Sequence, residues 1–572
     1  MESNQESFLV QYPCREVYTM NYFTTRKQFL IASFELDSKE QEKLDRFLHI
    51  LDESCVSELI RKETVNTSKG GRPPYRDYDL FATILYGFAF KNRSLRDLES
   101  ACKYDLRYIS LMQQQRPSHT VFCNFINEII VPNSEEIFYR ITKTIIKEFN
   151  IDISEIFIDG SKFEADANKY KFVWKPTKYH EKLCDKIRTL LKSMNMSRNI
   201  PEEGIFESKL IARKITELSS KIKNSDETIN QIALTKNYEE LYQYLCKALE
   251  YEEKERICGP NRNSYYKTDH DATAMCLKSD YYAGLGSNMH AAYNTQLAVS
   301  KGIIVSFHVS QSRTDYEDFI PIIESLYKYY GKYPKLVCAD SGYGSLKNYE
   351  YLDQKRIENY VKYRSWQGNV SGQNPDKYHL NEDNTITCLN GSKGVIVDIP
   401  NRHPTKTNSI FYKVTACANC GFASYCKRHL KTKEEDYRIF EVDQKLIYYK
   451  QEAEKNLLSV KGIEMRVNRS SQVEGAYGVI KQDMEYTRLK RTTMEKVKTE
   501  IMLICLGYNI KKLFRYFEGK AKFNYWIVPD NIMPESFKKP SAKRLSKKAQ
   551  KKATKGLNEQ SKSQYKHRKK RL

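Results

Sequence analysis

Two short apolar runs in this chain carry a carboxylate where a buried strand should carry a hydrocarbon: Asp159 in EIFIDGSKF and Asp340 in KLVCADSGYG. A third acid, Glu474, opens a long segment of helical period in RSSQVEGAYGVIKQDMEYTRLKR. Ending an apolar strand on a charge costs desolvation energy unless a cation or metal compensates. Three acids brought together repel and raise one another's pKa, so the arrangement asks for divalent cations, whose hard charge favours oxygen ligands. Such a trio is the signature of a two-metal phosphodiester site.

The order of the parts predicts how the acids are presented. Strand with Asp159, two β-rich runs around a turn at Ser300, Lys301 and Gly302, a helix through DFIPIIESLYKYY, then a strand from Pro334 to Ala339 ending on Asp340: this series gives a mixed sheet in an α/β layer fold. Both aspartates are expected near one edge of its face. Glu164, Asp166, Asp269 and Asp271 compete for the ligand roles. Asp159 outranks its neighbours because it ends the more apolar run and precedes Gly160, which permits close backbone approach. Asp269 and Asp271 are expected to organise a turn or orient the groups that hold an ion.

Upstream, residues 1–148 read as a helical domain. Gly71, Pro73 and Pro74 break the chain before an apolar-periodic run from Leu80 to Phe90, and Ser94 with Asp97 has near capping-box spacing. Arg72, Arg76, Arg93, Arg96 and Arg107 fit a DNA-binding unit and equally a solvated helix surface. Residues 149–177 and 258–360 form the sheet-bearing core. Between them, 178–257 is a helical insertion, a hairpin or coiled-coil-like spacer. Residues 361–460 lack a sustained period and contain Cys388, Cys417, Cys420 and Cys426, whose spacing suits a structural Zn²⁺ or a set of free buried thiols, with His429 able to replace one sulfur. Residues 461–530 supply C-terminal helices to the core. There Glu474, Tyr477, Gly478 and Lys481 share one face, with Arg469 just upstream. Taken alone, that stretch reads as an amphipathic helix with an exposed charged face. Trp366 could stack on an extruded base, although a core position suits it better.

The 572 residues include 94 Lys and Arg against 72 Asp and Glu, a formal charge of +22 that biases the chain toward polyanions. Residues 531–572 concentrate this charge in a tail too polar to fold alone. No apolar stretch approaches the roughly 20 residues that span a bilayer, and a secretory signal pattern is lacking, so a cytoplasmic, nucleoid-associated protein is expected. Most of the 14 cysteines are expected to be buried, reduced apolar residues.

Taken together, these segments resemble the DDE transposases of bacterial insertion sequences, in the branch with a Tyr-Arg-Glu-Lys type signature around the last acid. The likeness runs through GRPPY, SLRDLESACKYDLRY, FIDGSKFEA, TDHDATAM, YNTQLAV, VCADSGYGS, the Cys cluster and VEGAYGVIK. It implies a ribonuclease-H-like core in which Asp159, Asp340 and Glu474 hold Mg²⁺ or Mn²⁺. Its implied substrates are double-stranded DNA at terminal inverted repeats and at the target, handled by a homodimer. Arg469 and Lys481 would neutralise phosphates, with Arg72, Arg93 and Arg96 as further DNA contacts. One departure stands out: the signature places an arginine shortly before the glutamate, where this chain has Ser470 four residues ahead and Arg469 five. Two other outcomes stay open, a DNA-binding derivative without catalysis and a nuclease of the same fold that does not join strands.

Overall fold

The computed structural model describes residues 36–520 apart from 62–73, 91–93, 224–227, 261, 400–403, 405–408 and 431–434. The chain opens with α1 (Ser38–Glu53), α2 (Asp77–Ala89), α3 (Leu95–Tyr104), α4 (Leu106–Leu111), α5 (His119–Phe125) and α6 (Val131–Glu148), the last two joined through a π turn at Ile126–Ile130. From Asp79 to Ala89 every residue of α2 is buried, as befits a helix that is apolar all round. Ser94 caps α3 reciprocally: its hydroxyl accepts from the Asp97 N–H, and the Asp97 carboxylate accepts from the Ser94 N–H.

Next come β1 (Glu155–Glu164), β2 (Phe172–Trp174), α7 (Thr177–Ser193), α8 (Ser208–Lys223), α9 (Thr228–Cys258) and β3 (Ser264–Tyr266). The expected helical hairpin is thus a three-helix unit. Its private core contains Leu183, Ile187, Ile211, Leu218 and Leu241, and the β2–β3 ribbon closes its base. The main sheet resumes with β4 (Thr273–Met275), α10 (Lys278–Tyr282), β5 (His290–Ser300), β6 (Ile303–Ser310), α11 (Phe319–Tyr330), β7 (Leu336–Ala339), α12 (Leu346–Gln354) and β8 (Glu358–Val361).

In this sheet β1 is central. On one side it pairs antiparallel with β5, whose far edge carries β6 and β4, both antiparallel; on the other it runs parallel to β7, and β7 parallel to β8. Omitting the short β4, the strands in chain order take sheet positions 3-2-1-4-5. Lys301 and Gly302, both at positive φ (49° and 78°), form the two-residue turn between β5 and β6. Gly331 at φ 70° ends α11.

After β8 follow α13 (Trp366–Ser371), β9 (Tyr378–Leu380), β10 (Ile386–Cys388), β11 (Lys393–Ile396), β12 (Ser409–Thr415), α14 (Ala423–Cys426) and β13 (Tyr437–Asp443). The stretch without a sustained period is therefore an antiparallel five-stranded sheet in the order β13-β12-β11-β10-β9. Three of its strands, β9, β10 and β11, have only three or four residues, too brief for alternation to register in the sequence. The chain continues through α15 (Gln444–Leu458), α16 (Val460–Arg469), α17 (Gly475–Gly478) and α18 (Met494–Phe517).

The N-terminal helices do not keep a core of their own. Phe81, Leu85 and Phe138 share one apolar cluster with Ile156, Val299 and Val337 of the sheet and Leu503 and Leu506 of α18. Nor is β6 left as a bare edge where it meets α18. The buried amide of Asn509 accepts from the Ile304 N–H at 2.8 Å and donates to the Ile304 carbonyl at 2.9 Å, substituting for a missing strand. None of the helices among the described residues is long and apolar enough to cross a membrane. Asn509→Leu keeps the heavy-atom branching of the side chain but leaves two buried backbone groups unpaired. It is expected to lower the unfolding free energy by about 2–6 kcal/mol, measured from urea midpoints, since each orphaned group costs about 1–3 kcal/mol.

Candidate active site

Backbone register brings the first two acids together. Ile158 of β1 pairs with Ala339 of β7, so Asp159 and Asp340 occupy the next rung of adjacent parallel chains. Asp340 stays extended (φ −79°, ψ 172°) although it lies just past the strand. Equal rungs of neighbouring strands face the same way at a spacing of roughly 4.8 Å. Gly160, one residue on, belongs to the opposite face. A Cβ there would lie 2.5 Å from Gln296 Oε1 and 2.8 Å from Asp315 Oδ1, so the close approach inferred from the sequence is to the buried Gln296 and the half-buried Asp315 behind the acids.

The third acid arrives on a helix that is not regular. Beyond α16 the chain makes a π turn at Ser470–Glu474, resumes as α17 and makes a second π turn at Val479–Asp483. In an α-helix residues four apart share a face, whereas a π turn absorbs one extra residue before the face returns. Arg469, five residues ahead, thereby reaches Glu474: Nη2 donates to Oε1 at 2.8 Å, and the Ser470 hydroxyl donates to Oε2 at 2.9 Å. The one-residue departure seen in the sequence is absorbed by this turn.

Arg469 is the hub of the site. Its Nη1 lies 3.6 Å from Asp159 Oδ2 and its Nη2 lies 3.9 Å from Asp340 Oδ1, so one guanidinium touches all three acids. Its side chain is only 6% exposed, and Nε and Nη1 are buried without a hydrogen-bond acceptor. Of the helix face read from sequence as solvated, Tyr477 is buried, Gly478 and Lys481 are half-buried and Glu474 stays exposed. Lys362, directly after β8, adds an ion pair to Asp340 at 3.2 Å. Sequence reading passed over this lysine, although ENYV followed by Lys362 carries the same signal as the aspartates, an apolar strand ending on charge.

Burial pushes the Asp159 carboxyl up to about 6; Arg469 opposes the shift and Asp340 adds to it. Burial acts on Asp340 too, but Arg469 and Lys362 outweigh it and hold that carboxyl below its ordinary range. Two adjacent acids are thus driven apart in proton affinity, a frequent property of functional sites. Lys481 does not extend to the carboxylates. Its ammonium donates to Ser161 Oγ and to the Lys162 carbonyl, both at 2.7 Å, farther along β1. Burial, assisted by nearby Lys278, lowers it to about 8. Tyr477 bolts the same helix to the sheet, donating to the Thr295 carbonyl at 2.6 Å.

The other candidates separate cleanly. Glu164 lies five residues along β1 from Asp159, about 17 Å at strand rise, and Asp166 pairs with Arg488 at 3.1 Å. Asp269 accepts from the Tyr293 hydroxyl and the Thr493 N–H, and Asp271 accepts from the Met494 N–H, so this acidic pair holds the start of α18. Trp366 is buried with the Arg466 guanidinium over its ring, a core position. Arg96 is exposed on α3, whereas Arg76 faces Asp79 and Arg107 pairs with Asp105. Arg72, Arg93 and the basic tail at 531–572 lie outside the described residues. Cys388, Cys417, Cys420 and Cys426 line one small cavity of the second sheet, and His429 is exposed outside it.

The donor set at the acids is carboxylate oxygen alone, which suits Mg²⁺ or Mn²⁺ and not a soft metal. Among the described residues no three His, Cys, Asp or Glu side chains stand in metal-holding geometry, and Arg469 occupies the space between the three acids.

Comparison with protein families matches residues 33–128 to a transposase domain (DUF772) and residues 387–514 to a transposase DDE domain. The second match includes Glu474 and the four cysteines of the second sheet but neither Asp159 nor Asp340. Comparison with curated proteins and with solved structures finds no match.

Because the native Asp159 carboxyl titrates above its unfolded value, the folded state binds the extra proton between about pH 4 and 6, and stability falls as pH rises through that window. In divalent-free buffer Asp159→Asn, which mimics the neutral acid, should therefore be more stable than the parent at pH 7.5 by up to about 3 kcal/mol. The gain should vanish near pH 4, as read from denaturation midpoints across pH.

Proposed function

Proceeding from a DDE transposase of an insertion sequence, the identity that both family matches support, we propose that Asp159, Asp340 and Glu474 are its metal-holding acids on a ribonuclease-H-like core, and that it cuts and joins DNA. The observation that carries this reading is the convergence of three acids, from two adjacent strands and one helix, on a single buried arginine. The 3-2-1-4-5 strand order with the first acid on the central strand supports the same core.

Asp159, Asp340 and Glu474 would hold the divalent ions, which when bound would supply activation of water and stabilisation of a leaving 3′ oxygen. The protein's own groups do the rest. Asp159 and Asp340, on successive rungs of a rigid sheet, set the spacing of the site. Arg469 offers a planar fork to a scissile phosphate once its hold on the acids is released. Lys362 and Lys278 add positive charge on the approach to Asp340 and Asp159. In the first displacement water attacks phosphorus and the bond to the 3′ oxygen breaks, leaving a 3′-hydroxyl and a 5′-phosphate. In the second, that hydroxyl attacks a target phosphodiester, forming one phosphodiester bond as another breaks and releasing a target 3′-hydroxyl. No covalent link to the protein is needed.

With Mg²⁺ and DNA bearing the element ends, the protein should nick the ends and join a precut 3′-hydroxyl to target DNA. Loss of a metal ligand removes several kcal/mol of transition-state stabilisation, so Asp340→Asn and Glu474→Gln should each reduce both steps by about 10³-fold or more while binding persists in gel shifts. Undiminished cutting in either variant refutes the assignment of the acids. Cutting without joined products identifies a nuclease, and binding without either step a non-catalytic derivative.

A further inference from the structure

The second sheet contains a group of side chains that the phosphodiester chemistry does not use. Cys388 ends β10 and enters a tight turn, its carbonyl accepting from the Gly391 N–H and its N–H donating to the Ser392 carbonyl. Cys417 and Cys420 lie in the loop after β12, where Ala416 takes a positive φ of 63°, and Cys426 closes α14. All four are free thiols, and all four line one cavity of about 20 Å³, which has room for about one water-sized sphere. The remaining wall is largely apolar, with Leu389, Val414, Phe422 and Phe440.

Charge supplies the second observation. Lys427 and Arg438 also line this cavity, Lys427 only 4% exposed, and no carboxylate lines it. Arg438 donates from Nη1 to Cys426 Sγ at 2.8 Å. Lys377 donates to the Cys426 carbonyl at 3.3 Å. Arg438 faces the Cys426 sulfur, while the Lys427 ammonium donates to the Glu435 carbonyl, so the cavity wall holds two cations and no acid. Four thiolates around one divalent ion carry a net charge of −2, which Lys427 and Arg438 balance.

We propose that Cys388, Cys417, Cys420 and Cys426 form a structural Zn²⁺ site. Soft sulfur donors in tetrahedral number select zinc over the hard ions suited to the three acids, and a closed four-sulfur shell leaves no position for chemistry. The exposed His429 takes no part. The fully buried apolar core of this sheet is small, Ile386, Tyr412, Val414, Phe440 and Val442, so a metal clasp between the β10–β11 turn and the loop after β12 adds cohesion that side-chain burial alone provides sparingly. As placed, the thiols surround the cavity without converging, and closing the 417–426 segment onto an ion couples binding to local folding. The proposal does not depend on the assignment of the acids.

Full-length protein purified without chelator should contain about one zinc per chain by elemental analysis, and the Cys417→Ser/Cys420→Ser double variant should lose it. Asp340→Asn should retain it, separating this site from the acids. Should the double variant fail to fold, Co²⁺ titration of the reduced parent protein decides: tetrahedral d–d bands with sulfur charge-transfer absorption sustain the site. Zinc-free or iron-only protein without that cobalt spectrum overturns it, as does zinc that persists in a folded double variant.

Discussion

A buried arginine among three acids is the constraint around which this fold is arranged. Carboxylates at the centre of a sheet cannot be left unpaired, because desolvation would either neutralise them or expel them from the core. Arg469 meets all three and Lys362 meets one. The same positive charge that makes Asp340 easy to ionise leaves Asp159, more deeply buried, hard to ionise. A site with these properties is held in tension by design: its acids are close enough to share one cation and therefore close enough to be claimed by others.

That geometry relies on supports remote from the acids. The π turn at Ser470–Glu474 sets Arg469 and Glu474 on one face, and the Gly302 N–H donates to Gln472 Oε1 within the same turn, tying it to the β5–β6 hairpin. Tyr477 and Lys481 fix the next turn to β1 and β5. α18 then closes the far edge of the sheet through Asn509 and packs on α2, where Gly507 lets the helices approach so closely that a Cβ would lie 2.8 Å from the Phe88 backbone. The N-terminal helices and the sheet thus share one core.

Much of this was legible in the residues. The strands of Asp159 and Asp340, the Lys301–Gly302 turn, α11 and the Ser94 cap all follow from local rules of burial, backbone preference and capping, which act within a few residues. What was not legible had non-local causes. The second sheet was not legible because three of its five strands have only three or four residues and gain their stability from their neighbours, not from their own pattern. The three-helix insertion read as a spacer because only packing shows that its apolar faces meet. Lys362 ends an apolar strand on a charge as the aspartates do, but only the parallel pairing of β7 with β8 sets it beside Asp340.

The sequence by itself singled out Asp159 and Asp340, since a charge ending an apolar strand announces a partner whatever that partner is. It also determined the sheet's local direction changes, because turn residues and helix caps act on their neighbours. Only the tertiary structure decided that Arg469, one residue out of register, nonetheless faces Glu474, that Lys481 bonds to β1 in place of the acids, and that Asp269 and Asp271 serve the start of α18. Those outcomes depend on a π turn and on contacts between segments hundreds of residues apart, and such contacts are set by packing free energies that no short stretch of chain contains.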